Sequence, residues 1–164
     1  MKKLFFIPLI FCFISCHFSQ SEDKKQAKNI EKKQEDKSTI ILISDPRSPN
    51  PSSELAVLMR DMWEYADTLK NEVIDSDSIN SLPNYQNRFE EIHTATPTDE
   101  NTKSIAFDAM AKVMLQKLEN VYQNENKKQS VQVEGFNLLV KSCLQCHQQH
   151  CPGPISKISK LMIK

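Results

Sequence analysis

Apolar residues recur at helical spacing in four stretches of this chain. Leu55, Met59, Met62, Ala66, Leu69 and Val73 follow one another in alternating steps of four and three, the stripe of one helix face. Asn50 as cap, Pro51 at the first helical position and Glu54 in the first turn predict a helix over 51–75. A shorter helix is expected over 83–93, with Tyr85, Phe89 and Ile92 on one side, before the polar run 94–99 breaks it. Thr98 or Asp99 then caps a third helix. Its stripe is Ile105, Ala109 or Met110, Val113, Met114, Leu118, Val121 and Tyr122. After the polar connection 124–129, a last long helix runs over 131–150, with Phe136, Leu139, Val140, Cys143, Cys146 and His147 on one face. Pro152-Gly153-Pro154 ends it, and Ile155, Ile158, Leu161 and Met162 suggest a short closing helix. Four amphipathic segments with short connections predict an all-α domain over 50–164: an antiparallel four-helix bundle with a short C-terminal extension.

The first 49 residues read differently. Two lysines precede an apolar run from Leu4 to Ile14, too short to span a bilayer comfortably and of signal-peptide length. The run ends Phe13-Ile14-Ser15-Cys16, which resembles a bacterial lipobox, with Phe13 where Leu is commonest. The resemblance implies a signal peptide over 1–15, removed with Cys12, and a mature chain that begins at a lipid-bearing Cys16. An ordinary secretory signal and an uncleaved anchor are the alternatives. Residues 19–38 are Ser, Gln, Lys, Glu and Asp with little apolar content, so 16–49 is read as a charged flexible tether. Inside it, the apolar patch 39–43 is either a strand-like segment packed on the domain or more tether.

Composition narrows the classes. Only two glycines stand in 164 residues, which disfavours hairpin-rich barrels, dinucleotide-binding turns and phosphate loops. Basic and acidic residues balance at 21 each, but the balance averages unlike parts. Residues 51–164 carry twelve basic and fifteen acidic side chains. A mildly acidic domain lacks the basic face that displaces counterions from phosphate, so no nucleic-acid partner is expected. Ser, His and Asp are not grouped, and no carboxylate pair lies in an apolar context. No enzyme is expected.

The chemistry concentrates in Cys143-Leu144-Gln145-Cys146-His147. Cys-x-x-Cys-His is the attachment signature of c-type haem. On a helix these positions stand at i, i+3 and i+4, on one face. Two thiols can then add to two vinyl groups while the histidine reaches iron. The second ring nitrogen of His147 needs a carbonyl or carboxylate to fix its tautomer. Other readings of the same residues are a redox Cys-x-x-Cys, a strained disulfide, or a zinc knot built from Cys143, Cys146, His147 or His150, and Cys151. A redox motif normally opens a helix after a strand, and no strand pattern precedes this one. Cys151 itself is read as an inert thiol rather than a redox or cross-linking one.

An exported chain of helical periodicity with this motif on its last long helix resembles the cytochrome c-prime family and its low-spin relatives, over about residues 50–150. The resemblance implies a four-helix bundle carrying one covalent haem c, held by Cys143 and Cys146, with His147 on iron and helix one facing the other side. In low-spin relatives a Met of helix one is the sixth ligand. Met62 matches that place, and Met59 is the alternative. His93 and His150 are poorer choices, one beside a loop and the other on the same helix as His147. Two departures stand out: 17 residues follow His147, and Cys151-Pro152-Gly153-Pro154 is no part of the family pattern. The implied function is electron transfer by a lipid-anchored cytochrome of the bacterial cell envelope, on the periplasmic side or the cell surface, with an unidentified redox partner protein and a homodimer open. The alternative is a five-coordinate haem module that binds or senses NO or CO.

The reading of the N-terminus predicts that Cys16→Ser abolishes incorporation of labelled palmitate and releases the protein from the membrane fraction. Undiminished labelling of the variant would refute it.

Overall fold

The computed structural model describes residues 42–75 and 84–164. The expected signal peptide, Cys12, Cys16 and most of the expected tether lie outside the described residues. Within them the protein is all-α. Helix α1 spans Glu54–Asp75, α2 is the single turn Gln86–Phe89 continued as a 3-10 turn Glu90–His93, α3 spans Ile105–Gln123, α4 Gln129–His150, and α5 Ile155–Ile158 continued as a 3-10 turn Ser159–Leu161. No described helix is long and apolar enough to cross a membrane.

Helix α1 starts three residues later than expected. Ser52 is committed elsewhere: it exchanges both backbone hydrogen bonds with Ile43, at 2.7 and 2.8 Å, in one antiparallel bridge. Its neighbour Ser53 caps instead, its Oγ accepting from the Ala56 N–H at 3.3 Å. The 39–43 patch therefore ends in a strand-like pairing with the domain, and Asp45 just beyond is 5 % exposed. Glu54 reaches across to the 94–98 loop, accepting from the Thr96 N–H at 2.9 Å and hydroxyl at 2.8 Å, and these bonds lower its pKa. At the other end of α1, Gln129 Nε2 donates to the carbonyls of Ile74 and Val73 at 2.7 and 3.4 Å. It thereby caps α1 from the first turn of α4.

The expected stripe of α1 is half of a wider face. Leu55, Leu58, Tyr65, Leu69 and Val73 are buried, while Met59, Met62, Trp63 and Ala66 are half-buried beside them. Helix α3 meets expectation in its second half and departs from it in its first. Phe107, Ala111, Met114, Leu118 and Val121 face the core in steps of four and three. Ile105 is 92 % exposed and Val113 43 % exposed. The cap also moves: Ser104 Oγ accepts from the Phe107 N–H at 3.1 Å, and Asp99 instead caps the short 3-10 turn Glu100–Thr102. Met114, Leu118 and Val121 keep their expected inward places, so the difference is that Phe107 and Ala111 are buried where Ile105 and Val113 were expected. Helix α4 runs nearly as expected, packing chiefly on α3 through Phe136, Leu139 and Val140.

The closing helix is present and is clamped to α4. Asn137 Nδ2 donates to the Ile163 carbonyl and its Oδ1 accepts from the Ile163 N–H, both at 2.9 Å. Lys70 Nζ of α1 donates to the Lys160 carbonyl at 2.7 Å. Ile158 and Leu161 are buried as a result.

An ionic network holds the N-terminal segment and α2 to the outer side of α1. Asp45 accepts from Arg47 Nε at 2.9 Å and from Arg60 at 2.8 Å. Arg47 extends to Asp61 and Glu64, and Arg88 of α2 reaches Asp61 and Glu91. Hydrogen bonds from Arg47, then Arg60, hold the Asp45 carboxyl at about 2, below its ordinary 3.8. A depressed carboxyl adds stability above its unfolded pKa and loses it as pH falls through the folded one. Thermal melts should therefore show Asp45→Asn less stable than wild type at neutral pH, with the gap closing between pH 4 and about 2. A gap that is constant down to pH 2 contradicts the assignment.

Candidate cofactor site

Local sequence explains how α4 presents its chemistry. Phe136, Leu139 and Val140 are fixed in the core, so Cys143, Cys146 and His147, one and two turns on, continue the same face past the edge of the packed region. There they wall a cavity. Met59, Met62, Trp63 and Ala66 of α1, Met110 and Met114 of α3, and Ile158 and Leu161 of the closing segment also line it. The cavity is narrow, with about 80 Å³ of free space, well below the roughly 300–1,000 Å³ of ligand pockets. It is a thin slot with almost entirely apolar walls.

Each residue expected at the haem site can be placed. Cys143, Cys146, His147, Met62 and Met59 line the one slot. Met59 also borders a second, more polar cleft that opens beside it. His93 takes no part: its Nδ1 lies 3.3 Å from Asp108 Oδ1, away from the slot. His150 borders the polar cleft and meets the edge of Phe107, with ring centroids 5.6 Å apart. Cys151 is exposed. Of the five donors in the zinc reading, three wall the slot and the other two stand outside it. Among the described residues no three His, Cys, Asp or Glu groups are gathered to hold a metal ion.

The geometry around His147 follows from Pro152. A residue before proline is driven out of the helical region, and Cys151 sits at φ −156°, ψ 82°. Its N–H still donates to the His147 carbonyl at 3.1 Å, closing α4, while its own carbonyl turns toward the His147 side chain. His147 Nδ1 lies 2.8 Å from that oxygen. A carbonyl cannot donate, so Nδ1 carries the proton, and the neutral ring keeps its lone pair on Nε2. The Cys-Pro-Gly-Pro sequence thus supplies the partner that His147 was expected to need.

Both thiols of the motif are free. Burial, then the neighbouring Cys146, pushes the Cys143 thiol up to about 12, and burial raises Cys146 as well. Redox and metal-thiolate cysteines show the opposite shift. The arrangement offers two protonated thiols for covalent attachment, an imidazole lone pair, and two thioether sulfurs from α1, all around an apolar slot. Trp63, Tyr65, Ile158 and Leu161 also line it and were not anticipated as site residues. Leu55, Leu58, Met62, Tyr65 and Leu69 form a second helical stripe in α1 that would have found Tyr65.

No protein-family model, curated protein or solved structure matches this chain.

Differential alkylation tests the thiol environment. In cofactor-free protein at neutral pH, iodoacetamide should label Cys151 readily and Cys143 only after unfolding or near pH 12. Equal labelling of Cys143 and Cys151 in the folded protein would contradict the burial argument.

Proposed function

We propose that this protein is a monohaem c-type cytochrome that transfers electrons while tethered to a bacterial membrane through lipid on Cys16. The observation that carries the reading is the meeting of Cys143, Cys146 and His147 with Met59 and Met62 on one apolar slot, with the His147 tautomer set by the Cys151 carbonyl. In the finer fold reading, α1, the 86–93 segment, α3 and α4 form a cytochrome c-prime-like antiparallel four-helix bundle. Helical packing of α1, α3 and α4 supports that, as does the short turn between α3 and α4.

A haem c bound here supplies one-electron ferric–ferrous chemistry. The chain's own residues set its terms. Cys143 and Cys146 hold the ring covalently, so affinity does not depend on non-covalent packing alone. His147 Nε2 would bind the iron, and the hydrogen bond at Nδ1, which orients the imidazole and raises its basicity, would favour the ferric state. A thioether from Met62, with Met59 as the alternative, is a soft ligand that favours the ferrous state. Apolar walls exclude water and disfavour the extra positive charge of ferric iron, pushing the potential the same way as the thioether. The domain's modest negative charge steers basic redox partners weakly.

Optical and electron spin resonance spectra test the axial assignment. The oxidised protein should be low-spin, Met62→Ala should become high-spin, and Met59→Ala should stay low-spin. A high-spin wild type that neither substitution alters and that takes up NO or CO would replace electron transfer with gas binding.

A further inference from the structure

The polar cleft beside the slot shares Met59, Trp63, Cys146, His147 and Ile158 with it. The two spaces therefore meet at the rim where the Cys-x-x-Cys-His motif ends. The charged and titratable groups bordering the cleft, besides His147 and the thiols of Cys146 and Cys151, are Arg47, Arg60, Glu64, Asp99, His150 and Lys157. Most already have partners. Arg47 is engaged by Asp45, Asp61 and Glu64, and Arg60 by Asp45 and the Ser52 hydroxyl. Asp99 accepts from the Asn101 backbone. Lys157 differs: among the described residues it has no carboxylate partner, and its Nζ sits 3.8 Å from the centroid of the Trp63 ring.

A second observation points to the same corner. Two buried polar side-chain atoms lack a hydrogen-bond partner among the described residues, Trp63 Nε1 and His150 Nε2, and both side chains border this cleft. A buried indole N–H almost always has an acceptor. That donor belongs to the ring over which the Lys157 ammonium sits, and the Trp63 side chain borders both slot and cleft, a combination suited to a carboxylate oxygen.

The cytochrome reading supplies a ligand of that chemistry. A haem carries two ionised propionates on the part of its rim away from the vinyl groups. Apolar walls cannot take them without a large desolvation cost, so the ring must present them where the slot opens into polar surroundings. Resting on that reading, we propose that Trp63 Nε1–H and Lys157 Nζ hold a haem propionate at the junction of slot and cleft. The C-terminal extension then acts at both ends of the cofactor. Its 155–161 segment closes the slot with Ile158 and Leu161 and brings Lys157 to the charged edge. Trp63 and Lys157 are positioning groups, since neither touches iron.

The test uses full-length protein matured with haem, with three substitutions. Trp63→Phe keeps an aromatic face under the lysine but removes the N–H. Lys157→Met keeps the stem and removes the charge, and Lys157→Arg restores it. Protonation of a propionate appears as an inflection in the curve of reduction potential against pH. Loss of a donor or cation weakens the ionised form, so the inflection should move to higher pH in Trp63→Phe and Lys157→Met, by a roughly tenfold change in propionate acidity. It should return to the wild-type position in Lys157→Arg. The propionate bending band in the resonance Raman spectrum should shift in the same two variants. An unmoved inflection and band in both, with haem still attached, overturns this proposal and leaves the cytochrome reading standing. Wild-type protein without covalent haem, seen in the alkaline pyridine spectrum of the same preparation, overturns the cytochrome reading itself and this proposal with it.

Discussion

Burial of Phe136, Leu139 and Val140 fixes the rotation of α4, and that rotation decides where the chemically active side chains point. Phe136 and Val140 are almost wholly enclosed, each such side chain contributing roughly 1.5–3 kcal/mol. A helix so anchored cannot turn without exposing them. Cys143, Cys146 and His147 are carried by that rotation to the edge of the core, where the packing stops and the slot begins. The same anchoring lets Asn137 grip the C-terminal segment, which closes the slot from the other side.

Helix α1 meets this arrangement with two adjacent stripes. Leu55, Leu58, Tyr65, Leu69 and Val73 seal the core, and Met59, Met62, Trp63 and Ala66 form a cavity wall. Unbranched, polarisable methionine suits a wall that must adapt to an occupant. Cys-Pro-Gly-Pro contributes through the backbone: Pro152 bars Cys151 from the helix, and the displaced carbonyl takes the His147 proton in a hydrogen bond. The role lies in that carbonyl, which any residue at 151 could supply, so the exposed thiol need take no part.

What the sequence could reveal divides along physical lines. Helix α4 and its motif were legible because both depend on local spacing, and i, i+3, i+4 means one face wherever the helix sits. The end of α4 was legible for the same reason, since proline acts on its own neighbour. The start of α1 was not, because Ser52 pairs with Ile43, a contact no local pattern encodes. In α3, Met114, Leu118 and Val121 were legible, but Ile105 and Val113 fit a helical stripe as well as Phe107 and Ala111 do, and only tertiary packing chooses between them. Trp63, Ile158 and Leu161 reach the slot through tertiary contacts, and nothing in their immediate neighbours marks them for it.

The central claim is that residues 143–147 carry a covalent haem. Mass spectrometry of the tryptic peptide 142–157 from protein purified out of cells with working haem-attachment machinery measures this directly. The account predicts a peptide heavier by one haem, with both Cys143 and Cys146 blocked to alkylation and Cys151 free. The same peptide recovered without added mass, with Cys143 and Cys146 open to alkylation, would contradict it.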